Sequence, residues 1–264
     1  MKADAKVADD EAHARSDPSH QRRTPDQTLA EDLAHDRDLG DVTADVVACR
    51  ACPRLVAWRE RAAAERPRRY SGWTYWARPV PGFGDTAARV VIVGLAPAAH
   101  GGNRTGRIFT GDRSGDVLYA ALFRAGLANQ PTSVAADDGL RLHGAYVAAA
   151  VRCAPPDNRP RPDERDHCEP YLVRELRLLR QAQVIVALGG FAWDGALRVL
   201  AMLGHRTRPR PKFAHGAEAR VGPYLLLGCY HPSQRNTFTG RLTPWLLDEV
   251  IVRALTRAGA TSFG

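Results

Sequence analysis

Val90-Val91-Ile92-Val93-Gly94-Leu95-Ala96-Pro97-Ala98-Ala99-His100-Gly101-Gly102 joins a short, continuously apolar run to a loop of small residues. A run of β-branched residues closed by glycine has the form of a strand buried on both faces. This run, at 89–94, has three counterparts, at 145–151, 184–189 and 224–230. Helical patterns occupy 114–125, 163–180, 191–203 and 244–258. Strands alternating with helices of this length predict an α/β fold, a three-layer α/β/α sandwich around a central, mainly parallel four-stranded sheet. Ligands of such sheets bind at the carboxyl ends of the strands, and the most distinctive loops of this sequence fall there.

The loop after the first run continues Asn103-Arg104-Thr105-Gly106-Arg107. Its small residues let backbone approach a phosphate or a planar base closely. Its spacing is not the dinucleotide-binding fingerprint, and no Gly-Lys-Ser/Thr follows, so nucleotide hydrolysis is a poor reading. The fourth run opens into His231-Pro232-Ser233-Gln234-Arg235-Asn236. A histidine at that position can donate to a developing negative charge.

Cys49 and Cys52 form a C-x-x-C pair, while Cys153 and Cys168 lie far downstream. Structural zinc usually closes on two short knuckles, and only half of this set is one. An iron–sulfur cluster tolerates one pair plus two dispersed ligands. Spacing alone leaves cluster, zinc and plain buried thiols open. Cys229, inside an apolar run, reads as a core thiol.

The chain has 264 residues, 44% of them hydrophobic, with no apolar run of membrane-spanning length, and residues 1–40 hold no apolar signal region. The expectation is one globular domain at 41–264, monomeric, in a reducing cytoplasm, behind a disordered leader at 1–40. The leader has a net charge of −4, leaving +12 for the rest of a chain that carries +8. Only Lys2, Lys6 and Lys212 are lysines, so the basic character is nearly all arginine. A basic body suggests a polyanionic partner.

Read together, Gly94-Leu95-Ala96-Pro97, Asn103 to Arg107, Phe109-Thr110-Gly111-Asp112, Cys153-Ala154-Pro155-Pro156-Asp157-Asn158-Arg159, Leu188-Gly189-Gly190 and His231-Pro232-Ser233 with Asn236 and Thr239-Gly240 resemble a family 5 uracil-DNA glycosylase, from about Cys49 to Leu246. The resemblance implies a monofunctional enzyme of base excision repair that releases uracil, hypoxanthine and ethenocytosine from DNA. It also implies a [4Fe–4S] cluster on Cys49, Cys52, Cys153 and Cys168. Gly94, Ala96, Phe109 and Asn158 would receive the flipped base, with Phe109 stacking on it and Asn158 reading its edge. His231 would donate to O2 of the departing base. Ala96 stands where related families carry a water-orienting polar group, so that task is expected of Asn103 first and Asp112 second. Arg104, Arg107, Ser233, Arg235, Asn236 and Arg241 are expected to touch DNA, and Phe238 or Leu242 to fill the vacated stack. The competing reading is a non-enzymatic iron–sulfur or zinc module that binds nucleic acid.

Overall fold

The structure, a computed structural model, describes residues 36–259. The part of the proposed leader at 1–35 lies outside the described residues. The folded body starts earlier than position 41. Asp36 accepts two hydrogen bonds from Arg174, at 2.6 and 2.8 Å, and Asp38 caps the first helix, α1 (Leu39–Ala48), through the N–H groups of Gly40 and Asp41.

After α1 come α2 (Pro53–Ala64), β1 (Phe83–Gly84), β2 (Val90–Gly94), the single turn α3 (Gly102–Thr105), α4 (Arg113–Arg124), β3 (Ala145–Ala149) and α5 (Pro162–Leu178). The chain continues through β4 (Val184–Leu188), α6 (Gly190–Met202), β5 (Glu218–Val221), β6 (Tyr224–Cys229), α7 (Gln234–Phe238) and α8 (Pro244–Arg257). The sheet order is β1-β3-β2-β4-β6-β5. The four central strands are parallel, as their apolar runs predict. Two antiparallel edge strands, β1 and β5, extend the expected four to six.

The strands are buried throughout because both faces are covered. Val90, Ile92, Val184, Val186, Leu225 and Leu227 point to one side, where α4 packs on α8. Val91, Val93, Ile185 and Ala187 point to the other, under α6, which packs on α5. Truncating Ile92, Ile185, Leu225 or Leu227 to alanine costs about 2–5 kcal/mol when the cavity cannot collapse. The parallel strands start at central β2, move out to β3, then cross back to β4, so the loops after these strands diverge and leave a crevice at the carboxyl edge. No helix among the described residues is long and apolar enough to cross a membrane.

Candidate active site

A cavity of about 560 Å³ occupies that edge, within the range typical of ligand sites. Leu95, Ala96 and Ala98 come from the loop after β2, Phe109, Asp112, Arg113 and Ser114 from the approach to α4 and its first turn, Asp157 and Asn158 from the loop after β3, and His231, Ser233, Gln234 and Arg235 from the loop after β6 and the start of α7. Its backbone is strained. Four non-glycine residues among those described have positive φ, and three of them, Phe109 (52°), Asp157 (55°) and Asn158 (53°), line this cavity. Such conformations cost about 1–3 kcal/mol each and gather where side chains must be aimed.

Phe109 forms the floor. Its ring lies over Gly94, where a β-carbon would come 2.5 Å from Cε2, so Gly94 acts by making room for Phe109 and does not itself line the cavity. The ring of His231 tilts against it, with 5.8 Å between centroids and 32° between planes. Burial lowers the pKa of His231 to about 4, so the imidazole is neutral near pH 7. The Asn236 side chain donates to the carbonyl of His231 at 2.9 Å and fixes the turn that carries it.

Asp112 caps α4, accepting the Gly115 N–H at 3.0 Å. Its other carboxylate oxygen lies against Gly101, where an added β-carbon would sit 2.0 Å away. Burial raises the pKa of Asp112, opposed by the N–H groups of Gly115 and Ser114.

Asn103, expected to hold the water, is elsewhere. It is fully buried, does not line the cavity, and donates through Nδ2 to the carbonyls of Arg59 at 3.1 Å and Ala99 at 3.3 Å. It ties α2 to the loop after β2. Asn103→Ala is therefore expected to lower unfolding free energy by about 1–3 kcal/mol in denaturant titrations, with little change in the rate of whatever reaction the cavity performs.

Several expected DNA contacts are likewise internal. Arg104 is buried, donates to the carbonyls of His100 and Gly111, and lies between the rings of Tyr70 and Trp73. Arg107 is buried in an ion pair with Asp138 at 2.7 Å. Leu242 is a core residue at 1% exposure and cannot serve as a wedge. One N–H of the Asn236 amide donates to the His231 carbonyl. Ser233 caps α7 and lines the cavity beside exposed Arg235. Phe238 remains a candidate wedge, 67% exposed with the Arg113 guanidinium 4.5 Å from its ring centre. Arg241 is exposed and stacks on Tyr230. Arg113, Ser114, Asp157 and Gln234 line the cavity without having been singled out in sequence, although three of them adjoin residues that were.

The four cysteines meet. Cys49, Cys52, Cys153 and Cys168 line one small cavity with His167, Arg152 and Tyr171. Arg54 fastens α2 to the start of α5 through Glu164 at 2.7 and 2.8 Å, which brings the two halves together. Burial pushes Cys52 up to about 11 and Cys168 up to about 12. Yet the Arg59 guanidinium, 2% exposed, donates to the Cys153 sulfur at 3.0 Å and has no carboxylate partner among the described residues. That guanidinium favours the anionic form of the Cys153 sulfur, against the larger opposing effect of burial. Among the described residues, no three His, Cys, Asp or Glu side chains group as a single metal ion would need. Ala96 packs against this nest as well as lining the larger cavity. Cys229 is a fully buried core thiol, pushed up to about 12 by burial.

The family model described as the uracil DNA glycosylase superfamily matches residues 81–254. The type-5 uracil-DNA glycosylase of Mycobacterium tuberculosis (strain CDC 1551 / Oshkosh) is 55% identical over 221 residues, covering 83% of this chain and 81% of the relative. That of Mycobacterium leprae is 53% identical, covering 83% and 95%. That of Thermus thermophilus is 52% identical over 215 residues, covering 81% and 95%. With the superfamily model spanning the sheet and its loops, and type-5 relatives matching more than half of the aligned positions, the chain belongs to the uracil-DNA glycosylase superfamily, in its type-5 branch.

Proposed function

We propose that the protein is a monofunctional DNA glycosylase that hydrolyses the N-glycosidic bond of uracil, acting as a monomer in cytoplasmic base excision repair. The carrying observation is one cavity that assembles a flat aromatic floor, an amide, a neutral imidazole and a buried carboxylate. A base stacked in a duplex cannot enter such a space and must first be rotated out. Phe109 then offers its face, and Asn158 both a donor and an acceptor for a uracil edge. As the glycosidic bond breaks, its electron pair leaves with the base and charge collects on O2. A neutral N–H from His231 stabilises that charge without having to give up its proton. Asp112 takes the task first expected of Asn103, orienting water toward the sugar and accepting its proton.

The cavity is larger than one pyrimidine requires, and Ala96 leaves its wall without a discriminating polar group. Both features favour a broad substrate range that includes hypoxanthine and ethenocytosine. Lys212 is the only lysine among the described residues and lies outside the cavity, so no described lysine is placed to form a Schiff base there. The test is a panel of duplexes carrying uracil, hypoxanthine or ethenocytosine. Free base should appear from each, and release of uracil alone would restrict the reading to one substrate.

The cysteine nest is proposed to hold a [4Fe–4S] cluster. Four cysteines around one small cavity, one close pair plus two dispersed residues, support that choice over zinc. The cluster would supply a covalent pin between the amino-terminal knuckle and the segment leading to Asn158. Broad visible absorption is expected of the purified protein. Cys168→Ser should lower both iron content and thermal midpoint. A colourless protein containing zinc would contradict the assignment.

A further inference from the structure

We propose that residues 66–78 form an arginine ridge that grips the phosphate backbone of substrate DNA beside the cavity. The proposal rests on the DNA-binding half of the reading above. The segment Arg66-Pro67-Arg68-Arg69-Tyr70-Ser71-Gly72-Trp73-Thr74-Tyr75-Trp76-Ala77-Arg78 contains four arginines, and no carboxylate occurs until Asp85. All four guanidinium-bearing residues are exposed. Several arginines elsewhere in this chain do meet carboxylates, as Arg54 does Glu164 and Arg198 does Glu169.

The aromatic residues between them have a mechanical part. Buried Arg104 lies 4.4 Å from the centre of Tyr70 and 4.0 Å from that of Trp73, so it clamps the ridge from below. The Tyr75 hydroxyl and the His100 ring nitrogen are 3.0 Å apart. The N–H groups of Trp76 and Ala77 donate to the carbonyls of Arg104 and Asn103, each at 3.0 Å. Above this base, Arg69 stacks on Tyr70 at 5.0 Å and Arg78 on Trp76 at 5.7 Å. The ridge is thus fixed to the loop after β2 whose earlier residues Leu95, Ala96 and Ala98 line the cavity. Stacked guanidinium groups lose little freedom on meeting a phosphate and present a fork suited to it. A polyanion threading a nucleotide into the cavity would meet them at its rim.

The test compares two double substitutions of equal charge change. Arg68→Gln/Arg69→Gln alters the ridge. Arg206→Gln/Arg208→Gln alters exposed arginines next to His205, which packs on Tyr224 at the start of β6, at the opposite edge of the sheet. Binding to an intact duplex without a damaged base is followed by fluorescence anisotropy across a range of salt concentrations. The ridge variant should flatten the plot of log affinity against log salt by about 0.9 per arginine, while the control keeps the slope of the unaltered protein. Equal slopes for the two doubles, or an unchanged slope for the ridge variant, would overturn the proposal. Because no base is released in this assay, a flattened slope supports the ridge even if the unaltered protein proves unable to excise uracil.

Discussion

Replacing Asp112 by asparagine should slow single-turnover uracil release by about 10²–10⁴-fold, the usual worth of a positioned general base, while the protein stays at least as stable as before. Both halves follow from the same burial. The carboxylate lies at the cavity with one oxygen held by the Gly115 N–H and the other against Gly101, and burial raises its pKa. A carboxyl group whose folded pKa lies above its unfolded value binds more protons in the folded state, so its ionisation costs stability above the folded value. Asparagine keeps the helix cap and removes that cost. The pH dependence should follow suit. The kcat/KM of the unaltered protein should fall on the acid side through a limb displaced upward from the ordinary carboxylate range, and Asp112→Asn should lack that limb. A full-rate Asp112→Asn variant would return the water-positioning task to another group.

His231→Ala should cost about 10²–10³-fold in the same single-turnover assay, the effect of deleting one preorganised donor to a developing anion. Because burial holds the imidazole neutral, with a pKa of about 4, the donor needs no charge. His231→Gln, a neutral donor of similar reach, is therefore expected to recover part of the loss. The rate should also show no inflection near the usual histidine value. Stability runs in the opposite direction to that of Asp112. A histidine with a depressed folded pKa contributes fully above its unfolded value near 6.5 and progressively less as pH falls toward 4. An acid-induced drop in thermal midpoint across that interval should be smaller in His231→Ala. An inflection in rate near 6.5, or no rescue by glutamine, would mean that the imidazolium acts instead.

The central layer was readable because burial on both faces leaves continuous apolar runs, and β2, β3, β4 and β6 fall within the four runs expected. The edge strands leave no such mark. Phe83–Gly84 is only two residues long, and Glu218–Val221 buries only its last residue, after exposed Glu218 and Arg220 flanking half-buried Ala219. At the site, loop position was readable and side-chain direction was not. Asn103 and Asp112 are both polar residues of the stretch after β2, yet one turn of helix carries the first inward to Arg59 and Ala99 while the second caps α4 at the cavity wall. Arginine is the same problem at larger scale. Arg59, Arg104 and Arg107 are buried structural cations and Arg68 and Arg69 are exposed, a distinction set by partners distant in sequence. The cysteines were readable as a set because their chemistry restricts what four of them can do together, whatever the fold between them.

The most direct measurement is mass-spectrometric detection of free uracil after the pure protein is incubated with a uracil-containing duplex, followed by strand analysis with and without alkali. The expected result is stoichiometric free uracil and a strand that breaks only after alkali, as hydrolysis without a lysine nucleophile requires. DNA binding without free base, or strand breakage in the absence of alkali, would contradict the account.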